Sequence, residues 1–106
     1  MAVSIKTGRG NYWLKTGAPS ERDGAALVTT LVLERADGIE RVAFRCRIAD
    51  ELLGSKTSDD TDAILERMAP WIERKFEMTR EYALKTIRSE RKMMEIVFDA
   101  TNRGPF

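Results

Sequence analysis

Arg45 and Arg47 fall at alternate positions of one predicted strand, with Arg41 further along at the same parity, so their guanidinium groups project from a single face of a sheet. Alternate strand residues stand about 6.6 Å apart. At that spacing planar guanidinium forks can follow a phosphate backbone, so the chemistry open to this row is anion binding, with nucleic acid as its polyanion. Two features oppose that reading. Glu34 is placed to neutralise Arg41, and no aromatic side chain is expected on the face to stack on bases. A charged sheet face in water and a protein-binding face are the competing readings.

The remaining chemical inventory is thin. The chain has no His, which removes the commonest general base and metal ligand, and a single Cys, which excludes an internal disulfide or a thiolate metal cluster. No Ser-x-x-Lys pair, phosphate-binding loop or dinucleotide fingerprint occurs. Asp59-Asp60-Thr61-Asp62 fails as a calcium loop, because counting from Asp60 the positions that need Gly and Glu hold Leu65 and Trp71. These acids read better as the opening of a helix. The stretch from Arg74 to Lys92 is basic, and Arg74, Arg88 and Arg91 could form a basic helix edge. Interleaved Glu77, Glu81 and Glu90 favour an ordinary solvent face instead. Gly8-Arg9-Gly10-Asn11-Tyr12-Trp13 has the composition of RNA-contacting segments, but a turn followed by a strand that sends Trp13 into the core explains it more simply. Trp71 is either a partner anchor or, beside Ile72 on an apolar stripe, a core residue.

The element that positions the arginine row is a long hairpin over residues 27–48. With Asp37-Gly38 as a two-residue type I′ turn, Leu33 faces Val42, Leu31 faces Phe44, Thr29 faces Cys46 and Leu27 faces Ile48. The opposite face pairs Glu34 with Arg41, Val32 with Ala43, Thr30 with Arg45 and Val28 with Arg47. One face is thus nearly all apolar, and a slip of one residue would turn an apolar set to water. Before the hairpin, Val3 to Lys6 and Tyr12 to Lys15 read as two short strands, and Gly17 to Gly24 as a polar loop. After it, Ala49 to Gly54 reads as one helical turn.

A helix capped by Ser58 or Asp59 carries the stripe Ile64, Met68, Ile72 and Phe76. Pro70 interrupts it and predicts either a kink at Ala69-Pro70 or a second helix starting there. A further amphipathic stretch over about 80–91, with Thr79 as a candidate cap, buries Ala83, Leu84 and Ile87. Met94, Ile96 and Phe98 alternate in a final strand over about 93–99, and residues 102–106 form a mobile tail.

A chain of 106 residues with 18 basic and 17 acidic side chains, net charge +1, makes one domain without a global field toward nucleic acid or membrane. The start, Met1 to Gly8, lacks the apolar core of a signal peptide, and no apolar run is long enough to span a bilayer. Cys46 lies on the apolar face, where burial leaves a thiol inert. The expected molecule is a single α+β domain of the bacterial or phage cytoplasm. Its antiparallel sheet of three to five strands centres on the hairpin and has two or three helices, about 59–91, on one side. Helices on one side leave the other open. The expected function is non-enzymatic, without cofactor, metal or membrane. It consists of binding a protein partner or a second copy through that face, Val28, Thr30, Val32, Arg41, Arg45 and Arg47. The alternative is a nucleic-acid module that adds Lys6, Arg9 and Lys15.

Overall fold

Leu-Val-Thr-Thr-Leu-Val-Leu, residues 27–33, is rich in β-branched side chains, and in the computed structural model it forms the centre of β4 (Ala26–Arg35). The structure describes residues 2–17, 21–53, 61–88 and 98–100. β4 pairs antiparallel with β5 (Arg41–Ala49) from Ala26↔Ala49 to Glu34↔Arg41, the register expected from the sequence. Leu27, Thr29, Leu31, Leu33, Val42, Phe44, Cys46 and Ile48 are all buried on the inner face.

The turn differs from expectation. Gly38 has φ 77°, and among the described residues none but glycine has a positive φ. Asp37 therefore does not take the conformation a type I′ turn requires. The loop instead spans four residues, with the Gly38 N–H donating to the Arg35 carbonyl and the Arg35 N–H to the Glu40 carbonyl, both at 2.8 Å. Asp37 accepts from the Ile39 N–H and from Arg35 Nε, which suits a type I turn closed by glycine. The register survives because both loops are centred on Asp37-Gly38.

β1 (Val3–Thr7) and β2 (Gly10–Thr16) form the second hairpin, and β2 continues the sheet along β4. Ile5, Tyr12 and Leu14 are buried on the inner face. Trp13, expected in the core, instead points to the outer face and is 41% exposed. Glu21–Asp23, expected as loop, forms β3 beside the start of β4, on the edge that β2 occupies further along. α1 (Asp50–Leu53) is the single turn after β5.

α2 (Thr61–Arg74) and α3 (Phe76–Arg88) cover the inner face, α2 against β1 and β2, α3 against β5. Ile64, Leu65, Met68, Trp71, Ile72 and Phe76 join the core at helical spacing. Pro70 neither starts a helix nor ends one. It sits inside α2, and the break falls later, at Lys75. The Lys75 N–H still donates to Trp71, while its carbonyl receives both the N–H and the hydroxyl of Thr79, at 2.9 and 2.8 Å. Thr79 therefore bonds back inside α3 and is not its cap. The expected caps at 58 and 59, most of the strand expected over 93–99, and the tail 102–106 lie outside the described residues.

β6 (Phe98–Ala100) completes the sheet at the far edge, parallel to β5, in the order β1-β2-β4-β5-β6 with β3 on β4. The α+β architecture, a mainly antiparallel sheet with helices over one face, is as the sequence predicts.

Candidate interaction surface

The outer face is a grid whose rows follow from strand register. Ser4, Trp13, Glu34 and Arg41 form one row across β1, β2, β4 and β5. Lys15, Val32 and Ala43 form the next. Then come Gly17, Thr30 and Arg45, joined by the Gly17 N–H donating to the Thr30 carbonyl, and finally Glu21, Val28 and Arg47. All the residues singled out from the sequence for this face, Val28, Thr30, Val32, Arg41, Arg45 and Arg47, lie on it together. Lys6 and Lys15 share it. Arg9 does not; its Nε donates to both oxygens of Glu77 in α3, at 2.7 and 2.9 Å.

The arginines stand among carboxylates. Glu34 lies 3.4 Å from Lys15 Nζ and 3.6 Å from Arg41 Nε. Arg45 donates to the Thr30 hydroxyl at 3.1 Å, with Glu21 at 3.9 Å, and Arg47 Nε donates to Asp23 at 2.9 Å. Exposed pairs of this kind stabilise by about 0–1 kcal/mol each, so their effect is on the charge the face shows, not on stability. A phosphate arriving here must compete with three carboxylates. Two of them, Glu21 and Asp23, come from β3, which nothing in its all-polar sequence marks as a strand. Val32 is only 3% exposed and offers a partner almost no surface, whereas Val28 and Thr30 are half-buried.

Trp13 gives this face the aromatic residue that its sequence did not lead one to expect. Its indole stands between Ser4 and Glu34, at the end of the grid that carries Arg41. The signal was available: Trp13 shares strand parity with Asn11 and Lys15, whereas Tyr12 shares it with Leu14.

A second polar cluster has no counterpart in the expectations drawn from sequence. The Tyr12 hydroxyl donates to Glu40 Oε1 at 2.9 Å, and Arg80 of α3 grips the same carboxylate through Nε and Nη2 at 2.7 and 2.8 Å. Tyr12 also packs on Phe76, ring centroids 4.7 Å apart. Hydrogen bonds from Arg80 hold the Glu40 carboxyl below the usual carboxylate range, against the opposing effect of burial. Burial, then the bond to Glu40, pushes the Tyr12 phenol up, and Glu40 strengthens the hold of Arg80 on its proton. Tyr12 is 1% exposed and offers substrate no access. The cluster's work is mechanical. It fastens α3 to the hairpin loop and the start of β2.

Among the described residues no group of three His, Cys, Asp or Glu side chains is placed to hold a metal ion, and no helix is long and apolar enough to cross a membrane. No protein-family model, curated protein or solved structure matches the chain.

Proposed function

We propose that the protein is a non-enzymatic binding module that docks another protein, a foreign partner or a second copy, on the outer face of its sheet. The observation that carries this reading is the exposed Trp13 on a face whose arginines already stand opposite carboxylates. Tryptophan is enriched at the energetic centres of interfaces, and its apolar area is the part of this grid that water serves worst. A mixed-sign surface suits a protein, whose own charges can interleave, better than a polyanion. The compartment that suits the chain is the cytoplasm, where Cys46 stays a thiol.

The test is sedimentation velocity over a range of concentrations, together with affinity capture, for wild type and Trp13→Arg. The expected result is a concentration-dependent oligomer, or a stoichiometric partner, that is lost in Trp13→Arg while the circular dichroism spectrum is unchanged. A monomer without a stoichiometric partner, or a partner indifferent to Trp13, refutes the reading. Oligonucleotide binding that weakens linearly with log salt and disappears when Arg41, Arg45 and Arg47 are changed to Glu would favour the nucleic-acid alternative.

A further inference from the structure

β1 ends the sheet: β2 takes one of its edges, and no described strand pairs with the other. Thr7 and Gly10 close the hairpin, so the backbone groups of Val3, Ile5 and Thr7 turn toward β2 and those of Ser4 and Lys6 turn outward. The Lys6 N–H points that way, lying 3.5 Å from Glu73 Oε2 of α2. This is long for an N–H···O bond. The carboxylate stands where the carbonyl of a neighbouring strand would sit.

Between this edge and the α2–α3 elbow lies a cleft of about 1200 Å³. Small-molecule sites occupy roughly 300–1,000 Å³, so the space suits a longer occupant. Val3, Ala69, Pro70, Phe76 and Met78 give it an apolar lining. Pro70 has no N–H, so the Glu66 carbonyl lacks its usual helical donor on the side of α2 that lines the cleft.

Charge sets a direction along the groove. The Lys6 backbone N–H meets Glu73, and the Arg9 guanidinium meets Glu77, so β1 and the helices advance together. Arg74 and Lys75 therefore lie near the Thr7 end, and Glu66 toward Val3. Glu77 is held by Arg9, and among the described residues no carboxylate pairs with Arg74 or Lys75.

We infer that the β1 edge takes up an extended strand of a partner protein by β-augmentation, antiparallel to β1. The strand carries acidic side chains at its N-terminal end, beside Arg74 and Lys75, and apolar side chains at alternate positions facing the cleft. A second copy of β1 is a poor occupant, because Val3-Ser4-Ile5-Lys6-Thr7 brings no carboxylate to the basic end. Glu73 guards the edge until the strand displaces it. This site is separate from the outer face, and either can fail without the other.

The probe is a fluorescein-labelled peptide, Asp-Glu-Val-Thr-Val-Thr-Val, with a control in which both acids are Lys. Binding is followed by fluorescence anisotropy, and the amides of Ser4 and Lys6 by hydrogen exchange. The expected result is binding of the acidic peptide at least about tenfold tighter than the control, with both amides newly protected. Ser4→Pro removes an outward N–H that the β1–β2 ladder does not use, so it should abolish binding and spare the fold. Glu73→Ala should tighten binding several-fold, and Arg74→Glu with Lys75→Glu should reverse the preference between the two peptides. No binding at about 1 mM, unchanged exchange at Ser4 and Lys6, or indifference to Glu73 and to the two basic residues overturns the inference. So does a homodimer that Ser4→Pro dissolves. Trp13→Arg should leave peptide binding unchanged.

Discussion

Replacing Arg80 by Met removes the guanidinium from the Tyr12–Glu40–Arg80 cluster and keeps most of the stem that packs beneath it. Arg80 and Glu40 are 20% and 18% exposed, too buried to count as a surface pair and too wet to count as a fully buried one. Breaking a buried pair by removing one partner costs about 3–5 kcal/mol, and an exposed pair about 0–1. The intermediate burial and the remaining Tyr12 bond put the loss at about 2–3 kcal/mol, a fall in Tm of about 10–15 °C for a domain of this size. The cost comes mainly from leaving the Glu40 carboxylate behind, so Glu40→Leu added to Arg80→Met should restore much of the loss. Acid titration supplies an independent readout. The folded-state pKa of Glu40 is depressed, so its contribution is fully present above the unfolded carboxylate pKa and is lost as pH falls through the folded value. Stability should therefore decline from about pH 5 downward in wild type, and less steeply in Arg80→Met. Urea unfolding across that range measures both effects. A loss below about 0.5 kcal/mol, with the same acid slope as wild type, would refute the assignment of a latch.

Further substitutions probe the sheet and its turns. The Thr29 hydroxyl is buried on the inner face and has no hydrogen-bond partner among the described residues. Thr29→Val should therefore raise stability by about 1 kcal/mol in urea melts, and a loss of that size would reveal an unseen partner. Gly38 sits in the left-handed region, with φ 77°. Gly38→Ala should cost about 1–2 kcal/mol by the same melts, because an L residue resists that conformation. Gly8 lies in open space without a positive φ. Gly8→Ala should stay within about 0.5 kcal/mol of wild type.

The register of the hairpin was legible because a half-buried strand pair has one alignment that keeps Leu27, Leu31 and Leu33 with Val42, Phe44 and Ile48. The turn type was not, since a two-residue and a four-residue loop about Asp37-Gly38 share that alignment. The helical stripe from Ile64 to Phe76 was readable for the same reason of period, and it stays in phase across the break at Lys75. β3 was invisible because Glu21-Arg22-Asp23 contains no apolar residue. Its strand conformation comes from pairing with β4, with Arg22 gripping Asp50 at 2.9 and 2.6 Å. The latch escaped notice because Tyr12, Glu40 and Arg80 are far apart in the chain and each is ordinary in its local context. Of the outer face, the arginines were legible and their carboxylates mostly were not. That difference decides between a bare cationic row and a balanced surface.

Local rules and the global fold agree across most of this molecule, and apart from Thr29 and Trp13 their disagreements gather in one place. A proline stands inside α2, the helix breaks one residue after Arg74, the edge of β1 is left without a described strand, and a carboxylate reaches for its outward N–H. Each departure has a cost: about 3 kcal/mol for a proline in a helix interior, and exposed ladder groups that invite unwanted pairing at the edge. The core does not require the proline, since an alanine at position 70 would complete the helix without removing a buried side chain. Chains generally keep such inconsistencies where function needs them and keep local and global preferences aligned elsewhere. The outer face obeys every local rule of a solvated sheet except for Trp13. The β1 cleft breaks several at once. On this reasoning the cleft is where selection for something other than stability has left the clearer mark, and on the outer face that mark is confined to Trp13.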